Sequence, residues 1–65
     1  MTLGHNIRIA RKKKGLSQED FAKIMDISQG YLSHLENNSR EPSIDILIRL
    51  KKKLGTTYEQ LLESK

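Results

Sequence analysis

Three residues, Asp26, Ile27 and Ser28 in "FAKIMDISQGYLSHLENN", constrain the fold of this chain more than any others. Before them Phe21, Ala22 and Met25 recur at helical spacing, and after them Leu32 and Leu35 do the same. Asp tolerates the left-handed conformation better than most non-glycine residues, so Asp26 can end the first segment. Ser28 is a good N-cap for the second, with Ile27 and Leu32 at hydrophobic-staple spacing around it. Two short helices joined this tightly read as a helix-turn-helix.

The same punctuation divides the rest of the chain. Helical spacing runs from Leu3 to about Lys14 with Leu3, Ile7 and Ala10 on one side, and Gly15 suits the left-handed position after a helix end. Ser17 caps the second helix, Asp20 stands where it can complete a capping box, and Leu16 and Phe21 form a staple. Asn38 is a plausible left-handed stop for the third helix. Pro42 bars an early restart, and Ser43 caps a fourth helix with Ile44, Leu47, Leu50 and Leu54 inward. Gly55 ends that helix. Thr57 and Gln60 supply a capping box for a last one, with Leu61 inward. The expected helices span about 3–14, 18–25, 29–37, 44–54 and 58–63. The fold class is therefore all-α: one compact five-helix domain over 1–65, with helices 2 and 3 as the helix-turn-helix and no linker, repeat or strand alternation.

At 65 residues the chain is one small domain, of a size that hides only about 60% of its unfolded surface. It has no cysteine, which removes disulfides and thiolate metal sites. No run is long and apolar enough for a signal peptide or a membrane span, so the expected setting is cytoplasmic. The net charge of +4 fits a polyanionic partner and fits a lysine-rich soluble surface equally well. Lys12, Lys13 and Lys14, and likewise Lys51, Lys52 and Lys53, end helices, where cations meet the negative end of the dipole. They are read as solvated, adding diffuse attraction to a polyanion.

From Gly4 to Leu62 the chain resembles the lambdoid phage repressor and Cro-type helix-turn-helix family, also called XRE-like. "RKKKGLSQEDFA" is similar to the junction of the family's first two helices, and "ISQGYLSHLEN" to its turn and recognition helix. "REPSIDILIRLKKKLG" and "TTYEQLL" are similar to its fourth and fifth helices. Two positions depart from the pattern. Asp26 stands where glycine is common in the turn, and Ile24 where a polar residue is usual. Ile24 is read either as an ordinary exposed side chain or as a contact surface.

The resemblance implies double-stranded DNA as partner, with the third helix in the major groove. Gln29, Gly30, Ser33 and His34 are then the base-reading candidates. The Gln29 amide can donate and accept together, which matches adenine N6 and N7. Gly30 costs up to about 1 kcal/mol relative to alanine; it either gives the backbone clearance over the groove or is simply tolerated in a first turn. His34 is either a base or phosphate contact or a solvated side chain. The DNA-backbone candidates are Gln18, Ser28, Tyr31, Asn37, Arg40 and Arg11. Tyr31 either packs over the turn or offers its hydroxyl to a phosphate, and Arg40 is either a phosphate contact or solvated. Arg11 and Glu36 match a pair by which the family ties its first helix to its third. Arg11 facing a phosphate is the alternative.

The function so implied is a sequence-specific transcriptional regulator, a repressor acting at the nucleoid. It would bind a roughly palindromic operator as a homodimer, with Tyr58, Leu62 and the loop before the fourth helix at the dimer surface. The competing reading is a protein-interaction module on the same fold. No enzyme is expected. His5 and His34 lack metal-ligand partners, and Ser33 and His34 point different ways on a helix and make no nucleophile–base pair. No metal, cofactor or small-molecule ligand is implied.

Overall fold

The computed structural model describes residues 3–63. Residues 1, 2, 64 and 65, the ends of the expected 1–65 domain, lie outside them. Five helices follow in order: α1 (Leu3–Lys13), α2 (Gln18–Met25), α3 (Gln29–Glu36), α4 (Ile44–Leu54) and α5 (Tyr58–Leu62). Their limits fall within one residue of those read from the sequence, the ordinary fraying of helix ends.

Each break has a local cause. The Ser17, Ser28, Ser43 and Thr57 hydroxyls accept the backbone N–H three residues on, satisfying one of the amides a helix start leaves open. Only at Thr57 is the capping box reciprocal, with Gln60 Oε1 accepting from the Thr57 amide. At Ser17 the bond from the Asp20 amide forms alone. The expected box is half made there, since Asp is a methylene shorter than the Glu or Gln that reaches back.

Helix ends use the left-handed region at Gly15, Asp26, Asn38 and Gly55. At Asp26 (φ 58°) the Asp26 amide donates to the Lys23 carbonyl and the Ile27 amide to Ala22, which is a Schellman closure. Asn38 (φ 65°) closes α3 the same way, with Ser39 donating to His34 at 2.9 Å. In both places a short polar residue does what glycine does elsewhere.

The core is Leu3, Ile7, Phe21, Ala22, Met25, Leu32, Leu35, Leu50, Leu54 and Leu61. Every helix contributes, and each large side chain buried here stabilises the fold by roughly 1.5–3 kcal/mol. Ala10, Leu16, Ile27, Ile46 and Leu47 pack around it half-buried. Ile44 is not inward, as its place in the α4 pattern suggested; it is 76% exposed. The α4 stripe runs through Ile46, Leu47, Leu50 and Leu54. Ile44, at the first helical position, lies on the far side of Leu47 from Leu50 and points away from the core.

Close approaches between helices fix this frame. A Cβ on Gly4 would overlap the backbone carbonyls of Leu35 and Glu36, so α1 begins directly against the end of α3. The Gly4 amide also donates to Asn38 Oδ1 at 3.0 Å. Arg49 of α4 donates to the Met25 carbonyl at 3.2 Å, tying α4 to the last turn of α2.

Candidate nucleic-acid interface

The inward face of α3 is Leu32 and Leu35, each at most 2% exposed. Helical geometry therefore turns Gln29, Gly30, His34 and Asn37 outward, and all four are exposed; Ser33 is half-buried at the edge of that face. Neither Gln29 nor His34 makes a side-chain hydrogen bond or ion pair among the described residues. A Cβ on Gly30 would meet nothing within 4 Å. The fold therefore places no steric demand for glycine at that position, in contrast to Gly4.

The residues expected at the DNA backbone are differently placed. Ser28 Oγ accepts the Tyr31 amide at 3.0 Å, and Asn37 Oδ1 accepts the Ser39 amide at 2.9 Å, leaving the Asn37 NH₂ as its outward donor. The Tyr31 ring is half-buried with the Arg40 guanidinium 6.0 Å from its centre, the outer limit of a cation–π contact. Tyr31 thus packs beside the turn, and Arg40 is exposed above it.

Glu36 is where the first three helices meet. Its carboxylate is buried at the end of α3 and accepts Arg11 Nε at 2.7 Å, Arg11 Nη2 at 3.0 Å and Gln18 Nε2 at 3.2 Å. Arg11 is 7% exposed, and its Nη1 donates to the Leu16 carbonyl at 2.8 Å. The structure shows the ion pair. The guanidinium lies largely inside the protein, bonded on three sides, with 7% of the residue exposed. The pair is two-pronged and hydrogen-bonded throughout, the arrangement that makes a buried charge tolerable. Gln18, at the first position of α2, rests one amide hydrogen on Glu36 and keeps the rest of its amide at a half-exposed edge.

The residues expected at a dimer surface lie on α5. Tyr58 is 39% and Leu62 55% exposed. Leu62 lines a shallow apolar groove of about 210 Å³ with Leu3, Glu41, Pro42 and Leu47, which adjoins the loop before α4. Tyr58 stands apart from that lining, under Lys51 Nζ at 5.2 Å from its ring centre. The six lysines of the two runs are all exposed, and Ile24 is 44% exposed on α2.

Asn6 was not singled out from sequence. Its Nδ2 donates to the Leu61 and Glu63 carbonyls at 2.7 and 2.9 Å and closes the end of α5. The available signal was a lone amide beside the apolar stripe of α1, next to Ile7. Among the described residues no three His, Cys, Asp or Glu side chains gather as a metal ion requires, and no helix is long and apolar enough to cross a membrane.

Against known proteins, the helix-turn-helix family model matches residues 7–61. An uncharacterized HTH-type transcriptional regulator of Sinorhizobium fredii, y4dJ, is 37% identical over 60 residues, covering 92% of this chain and 78% of that protein. The HTH-type transcriptional regulator ImmR of Bacillus subtilis is 32% identical over 62 residues, 95% of this chain but 49% of its own length. This chain therefore spans about half of ImmR. Among solved structures, the master regulator for biofilm formation SinR, crystallised in complex with DNA, superposes with a TM-score of 0.85 at 32% identity. That match covers 94% of this chain and 98% of the SinR chain. With the fold, the turn at Asp26 and the family match over most of its length in agreement, this chain belongs to the helix-turn-helix family of DNA-binding transcriptional regulators.

Proposed function

We propose that this chain regulates transcription as a repressor by reading a specific double-stranded DNA site, with α3 in the major groove. The observation that carries the reading is the outward face of α3. Gln29 and His34 are exposed and engage no other side chain among the described residues, Gly30 is open, and the helix beneath them is held by Leu32, Leu35 and the buried Glu36. Unengaged hydrogen-bonding groups on a helix held by the core suit base edges, because no internal hydrogen bond has to break on contact. SinR, which shares this fold at 32% identity, was solved in complex with DNA, and that supports DNA as the partner here.

In this reading Gln29, Ser33 and His34 read bases, while Gln18, Ser28, Asn37 and Arg40 hold the backbone, with the Tyr31 hydroxyl as a further contact. The active form is a homodimer whose recognition helices enter successive major grooves about 34–36 Å apart, on a roughly palindromic operator. Leu62 and the groove beside it supply the apolar part of the dimer surface, with Tyr58 at its edge. Its place of action is the nucleoid, in the cytoplasm.

Selection of binding sites from random duplex DNA tests this. The expected result is one enriched, two-fold symmetric site with half-site centres about 10 base pairs apart. Equal weak binding to every duplex would defeat it and favour a protein-interaction module.

A further inference from the structure

Arg8 lies on the open side of α1 with its side chain 47% exposed, and its Nε is 3.7 Å from Glu36 Oε1. That oxygen already accepts Arg11 Nη2 at 3.0 Å and Gln18 Nε2 at 3.2 Å. Glu36 carries one negative charge, and Arg11, buried beside it, meets that charge with two N–H groups. Arg8 is a second guanidinium on a carboxylate that is already matched. A half-exposed contact at this distance adds little to the fold. The trio of Arg8, Arg11 and Glu36 thus holds one surplus positive charge, and it sits on its most exposed member.

The position of that charge points to a ligand. Arg8 Nε and Gln18 Nε2 lie within about 7 Å of each other, because both rest on the same oxygen, at 3.7 and 3.2 Å. A phosphate accepting charge-assisted hydrogen bonds of about 2.8 Å from both sides spans such a gap. Gln18 is also the first residue of α2, whose opening turn leaves backbone amides without a partner inside the helix.

We propose that Arg8 is a DNA-backbone residue that grips one phosphate together with Gln18, held in place beforehand by Glu36. The inference rests on the DNA-binding reading above. It adds to the backbone residues a neighbour of Arg11 one helical turn away, whose guanidinium is half-exposed.

The test compares the unaltered chain with Arg8→Gln and Arg8→Lys on the selected DNA site and on an unrelated duplex, between 50 and 200 mM salt. Arg8→Gln is expected to lose about tenfold in affinity on both duplexes, and its plot of log affinity against log salt to become shallower by about 0.9. Arg8→Lys recovers most of that slope. Base preference and the thermal midpoint stay as in the unaltered chain. An unchanged salt slope in Arg8→Gln, with the unaltered chain binding steeply, overturns the Arg8 assignment alone. Loss of the folded state in Arg8→Gln overturns it too, by placing Arg8 in the supporting ion-pair network. Absence of salt-dependent binding by the unaltered chain overturns the DNA reading itself, and this assignment with it.

Discussion

Arg11 and Glu36 meet by two hydrogen bonds, of 2.7 and 3.0 Å, with both side chains buried between α1 and the end of α3. Removing one partner strands the other in a low-dielectric site. Glu36→Ala is expected to cost about 3–5 kcal/mol in urea unfolding, a large share of the roughly 5–15 kcal/mol that domains possess. Replacing both residues together, as Arg11→Met with Glu36→Leu, should recover much of the loss. A Glu36→Ala cost below 1 kcal/mol would show that water reaches the pair.

Gly4 and Gly30 should respond to alanine in opposite senses. At Gly4 the new Cβ meets backbone of α3 that cannot swing aside, so α1 must shift, at an expected cost of about 1–3 kcal/mol. At Gly30 the Cβ enters open space, and stability should rise by up to about 1 kcal/mol through helix propensity. The same Gly30→Ala protein should bind its DNA site more weakly, because the methyl holds α3 off the groove floor. Thermal melts and binding isotherms on the two variants check both points. A Gly30→Ala variant that is stabler and binds as well as before would assign this glycine no part in DNA contact.

Gln29→Ala is expected to lose about 1–3 kcal/mol of binding and to relax preference at a single base pair. Gln18→Ala should instead weaken all sequences alike, the signature of a backbone contact. Competition against a panel of singly substituted sites distinguishes the two. Unaltered preference in Gln29→Ala would remove Gln29 from the base-reading set.

Asn6→Ala should loosen α5 without disturbing the helix-turn-helix. Five residues are far too few for a helix to persist alone, so α5 depends on Leu61 in the core and on Asn6 closing its carbonyl end. The expected loss is about 1–2 kcal/mol. Hydrogen exchange should speed up at α5 amides while those of α3 remain protected. Equal acceleration in both helices would mean that α5 opens only with the whole domain.

The elements were legible because their causes are local. Ser17, Ser28, Ser43 and Thr57 each cap a helix through an amide three residues away, and Gly15, Asp26, Asn38 and Gly55 each end one through their own φ. Such bonds span a few residues and leave a readable spacing. The outward face of α3 was legible for the same reason, since Leu32 and Leu35 define its opposite. Ile44 was misplaced because an apolar residue at a helix start matches the pattern whether or not a neighbour covers it. Arg49 and Gly4 left no pattern and Asn6 only a lone amide beside an apolar stripe, because each acts on a carbonyl or amide more than 20 residues away.

The sequence by itself determined five helices, their limits, the turn at Asp26 and which side of α3 is apolar, all consequences of period and capping within a few residues. Tertiary structure alone placed Arg11 in a buried pair with Glu36. The order of residues allows its guanidinium to face a phosphate or a carboxylate. Only the packing of α1 across the end of α3, at the distance Gly4 permits, buries Glu36 beside it. That same packing leaves Arg8, one turn earlier, open beside Gln18. Charge is written in the sequence, but whether a charge is matched or available depends on which elements meet around it.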